Sequence, residues 1–302
     1  PSPRSRLAVV TTTGNGAIFA IGGRGETGTL SETLRYPIDA LRWERRADKP
    51  TAVEDVAGVT VRGEIIVPGG CLRDGSAVDV VEVYDPAADT WREAAGLPSP
   101  MCGYALAELD GVVFLLGGRP GEDVAGASDE VWRHEPESDE WRVVDHLPLA
   151  CADLAAVVVG DVIHLLGGRD RAGKLLASHW VYRPFAPADS RWDLDGGAAL
   201  PEGRAGLAAV ATAVRNIYVV GGGWDRRLDD GTLLLRLASR RPAWEAQSDV
   251  PGFTPQRGAG MTLVEGRLLA VVGGEADDSP LDQHYRWEVV PSAFFFPGGG
   301  LK

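Results

Sequence analysis

The 302-residue chain has only three cysteines, Cys71, Cys102 and Cys151. So small and odd a number predicts no disulfide framework, which excludes the small disulfide-stabilised domains. No CxxC or CxxH element accompanies the cysteines, so we predict no bound metal ion and no cofactor. Whether the three thiols have a function stays open at this point.

Long apolar runs and excess positive charge are missing as well. No run reaches the roughly 18 apolar residues of a membrane span, and the apolar segment near the N-terminus is too short for a signal peptide. We therefore predict no membrane contact and a cytoplasmic location. The 43 acidic and 30 basic residues give a formal net charge of −13, which disfavours nucleic acid and anionic membranes as partners.

Glycine (39 residues) and tryptophan (9 residues) are abundant, and both are periodic. A Gly-Gly doublet ends an apolar run six times, and successive doublets are 47–54 residues apart. The first glycines of the doublets are Gly22, Gly69, Gly117, Gly167, Gly221 and Gly273. A tryptophan precedes each of the last five doublets by 26–29 residues. Two markers in phase over almost the whole chain predict six structural repeats.

Each repeat has the pattern of four short strands. The first strand is small and apolar, as in residues 102–109, and a turn such as Asp110-Gly111 joins it to the second. The second strand is the continuous apolar run before the doublet, which is typical of a strand buried on both faces. The third alternates, as in residues 81–86, and the fourth begins at the tryptophan. No segment keeps a 3.6-residue period, so we predict an all-β chain.

This pattern resembles the kelch repeat, because the doublets and spaced tryptophans are joined by a Tyr or His shortly before a proline (Tyr36, Tyr84, His134 and Tyr182). The resemblance implies a six-bladed kelch-type β-propeller, with four-stranded antiparallel blades around a central channel. Residues 1–297 would form this single domain, and residues 298–302 a flexible C-terminal tail. Trp287 would lie on the third strand of the sixth blade, and residues 292–297 would form its final strand.

The two markers have a structural reason in such a fold. Glycine tolerates both a close approach of backbones and a positive φ, which the end of the second strand demands near the crowded axis. The tryptophan ring fills the wedge between neighbouring blades, and its N–H is free to meet a backbone carbonyl. Neither marker is therefore taken as a cofactor site.

In a propeller, ligands usually bind at a mouth of the central channel. One mouth is lined by the residues that lead into the first strands, namely Arg4, Val53, Met101, Cys151, Arg204 and Arg257. It is also lined by the residues directly after the doublets, namely Arg24, Cys71, Arg119, Arg169, Gly223 and Glu275. Six arginines among these twelve positions predict a site for a small anionic or polyhydroxylated ligand, because guanidinium binds carboxylates through a two-point fork. Alternatively, these arginines pair with Glu54, Asp55, Asp153 and Glu275 and brace the blades.

Acid–base residues occur at the same rim. Glu54 and Asp153 are the candidate catalytic carboxylates, since partial enclosure raises a carboxyl pKa towards neutrality, and Tyr104 is a candidate proton donor. The candidate ligand-binding residues are Arg4, Arg24, Asp55, Arg119, Arg169, Arg204, Trp224, Arg257 and Glu275. The five histidines, at positions 134, 146, 164, 179 and 284, lie off this rim, so neither a Ser-His-Asp triad nor a His-rich copper site is predicted.

Three functions stay open. We favour a small-molecule enzyme without a redox cofactor, of isomerase, mutarotase, cyclase or lyase type, because the chain resembles the sialic acid mutarotases in its architecture and its Arg-lined pocket. The second is a protein-interaction scaffold, for which Trp224 and residues 294–296 are the candidate exposed aromatics. The third is non-catalytic metabolite or carbohydrate binding. The composition is typical of bacterial chains, and a closed ring without open sheet edges favours a monomer.

Overall fold

The computed structural model describes residues 2–12, 16–135, 137–223, 232–239, 241–247, 257–266, 268–276, 279–282 and 284–288. These residues form six antiparallel sheets, one for each sequence repeat. The first strands of the sheets contact one another in circular order, and the first strand of blade 6 contacts that of blade 1. The predicted all-β, six-bladed propeller with a closed ring is therefore confirmed.

The strands of each blade follow the chain from the axis outwards, so that each strand pairs with the next. Blade 1 contains Ala8–Thr12, Ala17–Ile21, Thr33–Pro37 and Glu44–Arg45; blade 2 Val59–Val61, Glu64–Pro68, Val81–Asp85 and Thr90–Ala94; blade 3 Ala105–Leu109, Val112–Leu116, Glu130–Glu135 and Glu140–His146. Blade 4 contains Ala155–Val159, Val162–Leu166, His179–Tyr182 and Trp192–Asp193; blade 5 Leu207–Ala211, Asn216–Gly221, Thr232–Arg236 and Trp244–Ala246; blade 6 Arg257–Val264, Leu268–Ala276 and His284–Glu288.

Short elements complete the connections. Arg24–Gly25 pairs with Gly28–Thr29, Cys151–Ala152 pairs with Arg169–Asp170, and Ser279–Pro280 extends blade 6. Val124–Gly126 and Ala188–Ser190 are single 3₁₀ turns. No helix in this described part of the chain is long and apolar enough to cross a membrane.

The first glycine of each doublet is required by the neighbouring blade. Gly69 has a φ of 60°, and a Cβ there would lie 2.3 Å from the Met101 carbonyl oxygen. Gly117, with a φ of 63°, stands in the same way 2.5 Å from the Cys151 oxygen. Since any side chain would collide with the strand leading into the next blade, the doublets set the spacing between blades.

Two of the periodic tryptophans join their blade to the chain that precedes it. The Trp91 indole donates to the Ala47 carbonyl at 2.9 Å, and the Trp244 indole donates to the Ala198 carbonyl at 2.8 Å. Trp91 also packs on Tyr84, with ring centroids 5.0 Å apart. The predicted structural role of the tryptophans is thus confirmed at these positions.

The sixth blade is described over three strands. Trp287 pairs with Leu269 on the third of them, as predicted. The predicted final strand, residues 292–297, and the predicted tail, residues 298–302, lie outside the described residues. The fifth blade forms its third strand at Thr232–Arg236 although it lacks the Tyr or His of the other repeats, since Leu233 and Leu235 are buried there instead.

Candidate functional site

Six residues with left-handed backbone surround the axis, one at the start of each blade, and we call them the axial belt. They are Arg6, Asp55, Gly103, Asp153, Gly206 and Gly258, with φ values between 53° and 66°. Five amide hydrogen bonds of 2.6–2.8 Å link neighbouring members, for example from Gly103 N–H to the Asp55 carbonyl and from Arg6 N–H to the Gly258 carbonyl. The belt therefore holds its three side chains, those of Arg6, Asp55 and Asp153, at fixed positions around the channel mouth.

An axial cavity of about 220 Å³ lies at the belt. Besides the belt residues, its walls are mainly small residues of the first strands, such as Ala8, Ala105, Ala155 and Ala208. Small walls leave the space open, so the belt side chains border a cavity large enough for a small molecule.

Arg6 is the centre of an ion-pair network at this mouth. Its guanidinium lies 3.5 Å from Glu54 Oε1, 3.7 Å from Asp55 Oδ2 and 3.3 Å from Glu275 Oε1. Each of these carboxylates has a second arginine. Arg24 lies 3.4 Å from Glu54, Arg119 lies 2.5 Å from Asp55, and Arg257 pairs with Glu275.

The network continues to the fourth blade through Asp153. Arg119 Nη2 lies 3.4 Å from Asp153 Oδ1, and Arg169 donates from Nε (2.9 Å) and Nη2 (2.5 Å) to Oδ2. The described network thus joins five arginines to four carboxylates, and eight of its nine members were predicted from the sequence. The bracing pairs anticipated from the sequence do form, but they form around an open cavity.

The ninth member, Arg6, was missed by the sequence analysis. A signal for it exists, because the other five belt positions are occupied by Asp or Gly, the residues that tolerate a positive φ. Arg6 departs from that pattern with a φ of 54°. An alignment of the six repeats at this position would have singled it out.

Arg4 and Arg204 were predicted on the rim, and this placement is wrong. Both side chains are fully buried between blades. Arg4 donates to the Ser2 hydroxyl at 2.7 Å and to Glu32 at 2.6 Å, while Arg204 donates to the Gly221 carbonyl at 3.0 Å and pairs with Glu202. Arg257 lies one residue later in register than these two, at the position of Glu54 and Cys102, and therefore reaches the mouth.

Tyr104 does not present its hydroxyl to the mouth. The side chain is buried, and its hydroxyl donates to the Pro68 carbonyl. Burial raises the pKa of this phenol well above its usual range. Tyr104 directly precedes the first strand of blade 3, but its hydroxyl is not available as a proton donor at the mouth. Trp224, another predicted ligand-binding residue, lies outside the described residues.

Glu54 has the electrostatic setting of a proton-transfer group. Burial and the neighbouring Asp55 raise the pKa of its carboxyl, while Arg6 and Arg24 lower it, and the net direction is upward. The side chain is 8% exposed, and Oε1 faces both Arg6 and Arg24. A carboxyl whose pKa is raised holds a proton more readily than an ordinary glutamate, and Glu54 lines a cavity.

The cysteines lie beneath the same rim. Cys71 and Cys102 are joined by a disulfide, which the small cysteine count did not predict, and Arg119 Nη1 contacts their sulfurs at 3.3 and 3.2 Å. The two residues are 31 apart in sequence, but they flank the junction of blades 2 and 3. Cys151 is free and buried, and burial together with Asp153 raises the pKa of its thiol to about 12. A buried thiol of this kind is a poor nucleophile.

Histidines lie away from the mouth, as predicted. His164 and His179 face each other in blade 4, with Nδ1 and Nε2 2.8 Å apart, and His134 stacks on Trp141. Among the residues that the structure describes, no group of three or more His, Cys, Asp or Glu is placed to hold a metal ion.

Comparison with known proteins agrees with this architecture. The family model described as Kelch motif matches residues 55–98. Beta-scruin of Limulus polyphemus is 33% identical over 112 residues, which is 34% of this chain and 12% of scruin. Kelch-like protein 35 of Mus musculus is 32% identical over 105 residues, 34% of this chain and 17% of that protein. The chain therefore spans only a small part of the length of these curated relatives.

A solved structure matches over nearly the whole chain. The structure titled "Structure of YjhT" has a TM-score of 0.78 and 16% sequence identity, and the match covers 94% of each chain. At this identity the likeness shows the fold alone.

Proposed function

The chain is a kelch-repeat protein with the six-bladed propeller fold, and on this premise we propose that it is a small-molecule enzyme acting at the axial mouth. The proposed substrate is a polyhydroxylated acid. The proposed reaction is an isomerisation, mutarotation, cyclisation or lyase-type elimination, which needs proton transfer and no redox cofactor. We propose neither nucleic acid nor a membrane as a partner. The cytoplasmic location, the monomeric state and the bacterial origin of the chain stay predictions.

One observation carries the proposal: Arg6, Asp55 and Asp153 border a cavity of about 220 Å³, and the other arginines and carboxylates of the network pair with these three or with one another behind them. Hydroxyl groups both donate and accept hydrogen bonds, so a polyhydroxylated molecule matches a wall of alternating donors and acceptors. Bracing alone does not require Arg6, because each carboxylate it contacts already has another arginine. Arg6 nevertheless adopts a left-handed backbone, and strained residues of this kind cluster at functional sites.

Glu54 is the proposed acid–base residue, with Asp153 as the second candidate. A carboxyl whose pKa is raised takes a proton from one substrate atom and returns it to another, which is the step shared by the proposed reactions. Both oxygens of Asp153 accept hydrogen bonds from arginines. Asp153 is therefore better suited to orient the substrate through Arg119 and Arg169 than to move a proton.

The test separates binding from turnover with two variants. Sugar acids are screened by thermal shift and then followed by NMR for anomer exchange, isomerisation or elimination. A ligand present at about 100 times its Kd should stabilise the wild type by roughly 2.7 kcal/mol. Glu54→Gln should keep this stabilisation and slow turnover by about 10²–10⁴-fold, since it removes the proton-transfer group and keeps its shape.

Arg6→Gly should lose ligand binding but keep its fold, because three of the six belt positions are already glycine. Equal turnover by wild type and Glu54→Gln would contradict the assignment of Glu54. Binding without any turnover would instead identify a non-catalytic binding protein. Capture of a protein partner by a chain that binds no sugar acid would favour the scaffold function.

A further inference from the structure

A second cavity of about 290 Å³ opens beside the axial mouth, and we call it the lateral pocket. It is lined by residues 24–29 of blade 1, by Glu54, and by Leu72, Arg73 and Glu122. Glu54 is its link to the axial mouth, because Oε1 lies 3.4 Å from Arg24 on one side and 3.5 Å from Arg6 on the other. Glu54 thus lines the lateral pocket and contacts Arg6, which lines the axial cavity, so the two cavities lie on either side of this ion pair.

Most of the charged side chains that line the lateral pocket do not form ion pairs with one another. Arg73 and the Glu122 side chain form no hydrogen bond or ion pair with any described residue, although both line the same space. Arg24 is 43% exposed, and its one ion pair in the described part of the chain is the long contact with Glu54. Two guanidinium groups thus border the pocket with most of their donors unused, in contrast to Arg119 and Arg169 at the axis, and the carboxylates of Glu26, Glu54 and Glu122 line the same space.

The backbone makes room for Arg73. Gly28 has a φ of +123°, and a Cβ there would lie 3.2 Å from Arg73 Nε and 3.5 Å from Cζ. Gly28 pairs with Gly25, next to Arg24, in the short hairpin that leaves the first doublet. The guanidinium of Arg73 therefore rests on the hairpin that begins with Arg24, which brings two cations from different blades to one pocket.

We infer that the lateral pocket binds the carboxylate of the substrate, while the axial mouth holds its hydroxylated part. This inference rests on the proposed function. A carboxylate accepts hydrogen bonds from two guanidinium groups in a planar arrangement, which suits Arg24 and Arg73. Glu122 accepts a hydrogen bond from the hydroxyl next to that carboxylate. The substrate class is then a polyhydroxylated acid long enough to extend past Glu54, with the reacting atoms on the axial side.

The experiment titrates gluconate, glucuronate and inorganic phosphate into three proteins by calorimetry, with sorbitol as the uncharged counterpart. We expect at least a tenfold loss of affinity for gluconate or glucuronate in Arg73→Ala and no change for sorbitol. Arg171→Ala is the matched control, since Arg171 holds the same position in the loop of blade 4 and donates to the Ala127 carbonyl. Its affinity should equal that of the wild type.

Phosphate that displaces gluconate supports a pocket for oxyanions in general, and phosphate that fails to do so supports one specific for carboxylates. The inference is overturned if neither sugar acid binds the wild type, or if Arg73→Ala binds both as tightly as the wild type does. Its failure is distinct from that of the proposed function. If Arg73→Ala loses gluconate binding and no protein shows turnover, the lateral pocket is supported and the proposed enzyme function fails. If turnover depends on Glu54 but is unchanged in Arg73→Ala, the enzyme function is supported and the lateral pocket fails.

Discussion

Lys49 and Glu82 form a buried ion pair between blades 1 and 2, and it is completed differently from the partly exposed ion-pair network of the axial mouth. Around Lys49 every group is satisfied within the protein. Its ammonium donates to Glu82 and to the Thr51 carbonyl, and Glu82 accepts from the Thr51 amide and hydroxyl, both at 3.1 Å. Neither residue lines the axial cavity or the lateral pocket.

The axial network, in contrast, contains an arginine that its carboxylates do not need, and it borders two cavities. A closed pair of charges holds neighbouring blades together. An open network of charges has the same components with space for a ligand between them. Burial of charge by itself therefore does not indicate a binding site. A cavity beside the charges, together with hydrogen-bond donors that the protein does not fully use, does indicate one.

The largest loss of stability is expected when the closed Lys49–Glu82 pair is broken. Lys49→Met leaves Glu82 as an uncompensated buried charge, which should lower the free energy of unfolding by about 3–5 kcal/mol. Burial already lowers the pKa of the Lys49 ammonium, which shows how strongly its site disfavours a charge. Urea denaturation measures the loss. The double variant Lys49→Met/Glu82→Leu should recover most of it, and a double variant as unstable as the single one would contradict this account.

A smaller effect is expected at the second closed polar site, the His164–His179 pair. Burial lowers the pKa of His164 to about 4, so the unfolded chain binds this proton more readily than the folded one. Stability should therefore fall as the pH drops from about 6.5 to about 4, by on the order of 3 kcal/mol. The check is the difference between the pH profiles of wild type and His164→Leu, because other groups titrate in both. If the stability of the wild type and of His164→Leu changes with pH in the same way, protonation of His164 is not coupled to folding.

The smallest effect is expected at an exposed pair. Arg62 lies 2.6 Å from Glu137, and the two side chains are 60% and 77% exposed. Arg62→Ala should change the free energy of unfolding by no more than about 0.5 kcal/mol, because solvent screens such pairs. This variant sets the baseline for the other two, and a loss comparable to that of Lys49→Met would mean that burial is the wrong basis for the comparison.

The fold was predictable because its signals are local and repeated. A glycine such as Gly117, which cannot carry a side chain beside Cys151, and a tryptophan such as Trp91 recur at regular intervals along the chain. Period and residue type therefore suffice to count blades. The residues directly after the doublets recur with the same period, and three of them, Arg24, Arg119 and Arg169, belong to the ion-pair network.

The candidate site was predictable only in part. Arg4 and Arg204 stand one residue earlier in register than Arg257, and successive side chains of an extended segment point in opposite directions, so this shift of one residue exchanged rim for interior. Tyr104 was misplaced by the same effect, while Arg6 was overlooked.

Period and residue type are enough to indicate a propeller of six repeats with arginines and carboxylates gathered at one end of them. Which of those charges face one another depends on how the blades pack in the folded chain. The belt is held by hydrogen bonds between residues about fifty positions apart and by one between Arg6 and Gly258 from the two ends of the ring. The Cys71–Cys102 disulfide joins two blades, and Arg73 meets the hairpin of Arg24 from the neighbouring blade. Contacts of this kind depend on the distance between blades in space, which a one-dimensional period does not contain.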